Sequence, residues 1–124
     1  MKTSILRLVT IAIAIFAYNA SVFAHGDTEP QHDGVVKVEH EMVFELVRGE
    51  ADASIYLRDH GKPYSTEKVT GNMIVLADGK KSDVKLTPAG DNKMTADVKI
   101  PDGAKVLIKV KEDGHHSVTV RFVF

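Results

Sequence analysis

The chain has 124 residues, a formal net charge of −1 at pH 7 and no cysteine. So short a chain has room for one domain with a modest core, and the missing thiol excludes disulfide staples, thiolate catalysis, Cys-ligated zinc and His₂Cys blue-copper centres. The slightly acidic balance also argues against nucleic acid as a partner, because phosphate binding calls for a basic surface.

The first 24 residues have the layout of a cleaved secretory signal peptide. Lys2 and Arg7 make a basic start, Leu8 to Ala17 an apolar run, and Val22-Phe23-Ala24 a small-x-small cleavage site. Cleavage there removes two of the sixteen basic residues and leaves fourteen against seventeen acidic ones, a net charge near −3. No cysteine precedes the site to carry a lipid, and no second apolar stretch approaches the roughly twenty residues that span a bilayer. The mature chain is therefore expected to be soluble, without membrane insertion.

Cleavage also makes His25 the new N-terminus. A terminal amine and the imidazole of the same residue can chelate one ion through two nitrogens, and imidazole suits copper, nickel and zinc. Residues 25–34, His-Gly-Asp-Thr-Glu-Pro-Gln-His-Asp-Gly, carry no large apolar side chain and read as a flexible arm. From Val35 to Phe124 the pattern becomes that of an antiparallel β domain, with short apolar alternations between Gly, Pro, Asn and Asp clusters.

The first run places Val36, Val38, His40, Met42, Phe44 and Leu46 on one parity, as a half-buried strand or a bent pair of strands. Further strands are predicted at Ala53 to Arg58, Lys68 to Ala77, Ser82 to Thr87, Lys93 to Lys99, Ala104 to Lys111 and His116 to Phe124. Asp78-Gly79 signals a two-residue hairpin, and Pro88 to Asn92, Pro101 to Gly103 and Glu112 to Gly114 mark longer turns. The fold expected is all-β, an immunoglobulin-like antiparallel β-sandwich of seven or eight strands. If consecutive strands alternate in direction, the loops Asp59 to Glu67, Pro88 to Asn92 and Glu112 to His115 share one end. A turn at His40-Glu41 adds His40, so that His40, His60, His115 and His116 gather at one rim.

Asp113-Gly114-His115-His116 is the most ligand-like run inside the domain, since an Asp and a His one residue apart in a turn can face the same ion. Asp-Gly-His is equally ordinary turn chemistry, and His116 shares parity with Val118, Val120 and Phe122, which suits a satisfied interior histidine. His25, Asp27, Glu29, His32 and Asp33 form a second donor-rich group, or else a solvated leader. His40 on an apolar parity reads as a core residue and His60 as a turn residue. Met42, Met73 and Met94 offer soft thioether donors for copper(I), but alternation with Phe44, Ala96 and Val98 favours packing.

The runs His32-Asp33-Gly34-Val35-Val36, Phe44-Glu45-Leu46-Val47, Ile55 to Pro63, Leu86 to Asn92 and Val118 to Phe122 resemble small periplasmic β-sandwich proteins and domains associated with heavy-metal efflux systems of the resistance-nodulation-division type. The resemblance covers nearly the whole mature chain and rests on turn and core patterns. It implies a Gram-negative periplasm and a metal-resistance context, and carries over no catalytic residue. A weaker likeness is to periplasmic copper-resistance β-sandwich proteins, whose mature N-terminal His and Asp-x-His turn are matched in kind by His25, Asp113 and His115; the ten-residue arm departs from that pattern.

The expectation is a non-enzymatic periplasmic buffer or carrier of copper(II) or another divalent transition metal. His25, Asp113 and His115 would act as ligands, with His116, His60 and His32 as auxiliaries. Protonation of imidazole below about pH 6 should release the ion. The rival reading is an immunoglobulin-like interaction module that docks on an efflux adaptor or another envelope protein, its histidines incidental.

Overall fold

The computed structural model describes residues 28–124. The signal peptide expected at 1–24 and the head of the arm, His25 included, lie outside the described residues.

Among the described residues there are nine strands and no helix: β1 (Val35–Glu39), β2 (Met42–Arg48), β3 (Ala53–Asp59), β4 (Lys62–Pro63), β5 (Val69–Ala77), β6 (Lys80–Pro88), β7 (Lys93–Ala96), β8 (Lys105–Glu112) and β9 (Val118–Val123). All pairings are antiparallel, in the order β1-β2-β3-β7-β6-β5-β8-β9, with the two-residue β4 beside β3. The sheet is nearly closed on itself: its end strands β1 and β9 lie side by side with no ladder between them. Strand β6 makes the curvature, pairing with β5 through Leu86 and with β7 at Thr87 and Pro88.

Inward-facing positions repeat every second residue, as a pleat requires. Phe44 and Leu46 on β2, Ile55 and Leu57 on β3, Met73 and Val75 on β5, Val106 and Ile108 on β8 and Val120 and Phe122 on β9 are buried in one core. Met94 from β7 is fully buried there too. At the end away from the rim, the Arg48 guanidinium lies 4.4 Å from the Phe124 ring centre and donates to Asp102 at 2.8 Å.

There are nine strands, rather than seven or eight, because β4 adds a short pair and the first apolar run is two strands. His40 and Glu41 form a two-residue turn with φ of 50° and 66°, the left-handed pair that a tight hairpin demands. Glu39 and Met42 pair across it and therefore share a face. The single parity expected for residues 36–46 is corrected accordingly. Val36 and Val38 stand on the outer face opposite Glu45 and Val43, while Phe44 and Leu46 point into the core. His40 is at the turn with its side chain 72% exposed, so it is no core residue.

From Glu29 to Gly34 the arm lies on the outer face of β2 and β3, fastened by hydrogen bonds. The buried Glu45 carboxylate accepts backbone N–H groups from Gln31 at 3.0 Å, His32 at 2.6 Å and Gly34 at 3.1 Å. His32 Nδ1 meets the same carboxylate at 3.2 Å, and its ring stacks on Tyr56 with centres 3.6 Å apart. Further along, the buried Arg58 donates through Nη2 to the Glu29 carbonyl at 2.9 Å. The absence of large apolar residues pointed to a free arm; polar anchors on the sheet hold this part of it instead. Gly34 is required where the arm turns into β1, because a Cβ there would stand 2.6 Å from the Leu46 carbonyl oxygen.

Candidate functional site

Three loops and a hairpin meet at one end of the sheet. The Met42–Asp59 pairing brings the His40-Glu41 and His60-Gly61 turns together. The loop after β6 is stitched to the same end: Leu57 N–H donates to the Asn92 carbonyl at 2.9 Å, and Thr66 N–H to that of Asp91 at 2.9 Å. The β8–β9 turn closes with His115 N–H donating to the Glu112 carbonyl at 3.0 Å, and Gly114 supplies its positive φ of 78°.

Between the His40-Glu41 turn, the segment after β4 and the β8–β9 turn opens a cavity of about 600 Å³. Its depth is apolar, with Leu57, Val69, Val110 and Val118, and its lip is polar, with His40, Asp59, Glu112, His115, His116 and one cation, Lys111. Met42 lines it as well and is half-buried, whereas Met73 and Met94 are fully buried in the core. The Tyr64 hydroxyl donates to the Glu112 carboxylate, which spans β8 and the segment after β4 and steadies that wall. His60 holds Asp59 at 2.7 Å through Nδ1 and lies 3.8 Å from Glu41 through Nε2.

The residues singled out from the sequence are thus distributed unequally. His115 and His116 share the cavity with His40. His116 is exposed ahead of β9 and not turned into the sheet. Asp113 is exposed in the same turn but does not line the cavity, and His60 stands beside the cavity with Nδ1 2.7 Å from an oxygen of the lining residue Asp59. His32 is on the outer face of β2 and β3, engaged with Glu45 and Tyr56. Among the described residues no three His, Asp or Glu side chains stand close enough together to hold a metal ion.

Sequence reasoning passed over Glu45, Tyr64 and Glu112. Glu45 had one visible signal, a lone charge inside the strand run Met-Val-Phe-Glu-Leu-Val. Burial acts to raise its pKa, but the N–H groups of Gln31, His32 and Gly34 and the His32 side chain outweigh that and hold it below its ordinary value. Tyr64 and Glu112 had none, being 48 residues apart. Comparison of the chain with known families, curated proteins and solved structures gave no match.

Proposed function

We propose that this chain is an exported, non-catalytic metal-binding protein of the periplasm, a buffer or carrier of copper(II) or a similar divalent ion in metal homeostasis or resistance. The observation that carries this reading is the presence of His40, His115 and His116 on one cavity, at an end that also bears Glu41, Asp59, Glu112 and Asp113. Imidazole nitrogens with carboxylate oxygens suit first-row divalent ions, and carboxylates gathered at one end favour a cation there.

His25 completes the set. In this proposal the amine and imidazole of a cleaved terminus join Asp113 and His115, with His116, His40 and His60 as auxiliaries. His32 is left out of the ligand set because its ring is committed to Glu45 and Tyr56. In the same proposal the two curved halves of the sheet are read as the layers of an immunoglobulin-like sandwich, with the metal held at its loop end.

Titration of copper(II) into protein that begins at His25, against a competing chelator of known strength, tests the reading. One site of submicromolar affinity, weakened at least tenfold by a single residue added before His25, is expected. Weak, multiple binding that ignores the added residue would overturn it.

A further inference from the structure

The outer face of β6, β5, β8 and β9 carries a concentration of cations. The registers set four side chains in each row across these strands. Lys81, Leu76, Lys105 and Val123 form one row, Asp83, Ile74, Leu107 and Arg121 the next, and Lys85, Asn72, Lys109 and Thr119 the third; Thr70 and Lys111 begin a fourth. The inward partners of the alternation, Val75, Val106 and Phe122 among them, are in the core, which fixes these rows on the outside.

Six cations, Lys81, Lys85, Lys105, Lys109, Lys111 and Arg121, are exposed on this face. Asp83 is the acidic residue among them, and it accepts a hydrogen bond from Asn72 Nδ2 at 2.9 Å. In a chain of net charge −1 this is strong segregation. Between the cations runs an aliphatic strip in which Leu76 and Val123 are 42% and 64% exposed and Ile74 and Leu107 half-buried. Strands stand about 4.8 Å apart and alternate outward residues about 6.8 Å apart along them. Cations two strands apart thus lie about 10 Å from each other, so at physiological salt their mutual repulsion is largely screened.

We propose that this face docks on the surface of an anionic phospholipid bilayer, independently of the metal reading. Five of the six cations are lysines, compact hydrated charges without the planar fork that recognises one carboxylate or phosphate bidentately. Such a set suits a diffuse field of headgroups, and juxtaposed lysines add to each other's attraction there. A protein partner fits less well, since lysine is depleted from protein–protein interfaces while Tyr, Trp and Arg are enriched. Single-stranded nucleic acid stacks its bases on aromatic rings, and no aromatic side chain stands in these rows. The exposed aliphatic strip adds apolar contact at the headgroup boundary without spanning the bilayer.

The test is sedimentation of the purified mature protein with vesicles of neutral phosphatidylcholine and with vesicles containing about one-third phosphatidylglycerol, each at low and high salt. Binding to the anionic vesicles alone, falling at least tenfold as salt rises from 50 to 300 mM, is expected. The double variant Lys85→Glu/Lys109→Glu should bind at least tenfold more weakly. Lys62→Glu/Lys99→Glu, which makes the same change in net charge away from this face, should retain most of the binding. Circular dichroism and thermal unfolding of both variants establish that they fold. Equal binding to neutral vesicles, none to the anionic ones, or equal loss in the two double variants would overturn the assignment; in the second case an acidic protein becomes the better occupant.

Discussion

Glu45 does more for the chain than its place in an apolar strand suggests. Its carboxylate gathers three backbone N–H groups and one imidazole, and each such bond to a charged acceptor contributes more than a neutral one. Replacing Glu45 with Ala strands those donors beneath the arm. We expect a loss of about 2–4 kcal/mol in urea unfolding at neutral pH. The pH dependence follows from the depressed pKa of the folded state. The extra stability is fully present above the pKa of the unfolded chain and is lost as pH falls through the lower, folded value. A plot of stability against pH should therefore fall on the acid side of the ordinary carboxylate range, and Glu45→Gln should flatten that limb. An acid limb identical in Glu45→Gln and the parent would remove Glu45 as its source.

At the scale of strands, three hairpins among the described residues turn through two residues of positive φ: His40-Glu41, His60-Gly61 and Asp78-Gly79. Two of them hold the glycine that such a turn prefers; the first holds Glu41 at φ 66°, a conformation that costs an ordinary L-residue about 1–2 kcal/mol. Glu41→Gly should therefore stabilise the protein, by about 0.5–1 kcal/mol after the added freedom of the unfolded chain is counted. The exposed Glu41–His60 contact offsets little of this. A rise of about 2–8 °C in Tm is the expected readout, and a fall would mean that Glu41 holds the hairpin by a contact of its own. The same turns explain what the sequence made legible. Strands β3, β5 and β8 were readable to within a residue or so because period-2 apolar runs end at Gly, Asp or Pro. The sequence allowed a turn at His40-Glu41 but not the reversal of parity that it brings between β1 and β2, because neither residue carries a tight turn's signature. The docked arm was hidden because its anchor, Glu45, is 11–14 residues away. Directional alternation did bring the rim loops together, yet whether individual donors share an ion depends on side-chain distances that no periodicity encodes.

Over the whole molecule, charge is divided between two places. Carboxylates and histidines collect at the mouth, and lysines cover the outer face of β6, β5, β8 and β9. Of the six cations only Lys111 also lines the cavity; the proposed ligands and the other five cations are separate residues, and the two effects should separate. An ion that binds only the folded chain stabilises it by RT ln(1 + [L]/Kd), about 2.7 kcal/mol at a free concentration one hundred times Kd. Copper(II) should accordingly raise the Tm of the mature protein by several degrees at pH 7.5 and much less at pH 5, where protons compete for the imidazoles. His115→Ala/His116→Ala should lose most of that shift. Lys85→Glu/Lys109→Glu should keep it while losing vesicle binding. Because the two double variants change opposite ends of the charge distribution, a general electrostatic effect would move both readouts in both proteins. A crossed result, each variant losing one readout and keeping the other, is what two independent sites on one small sheet require.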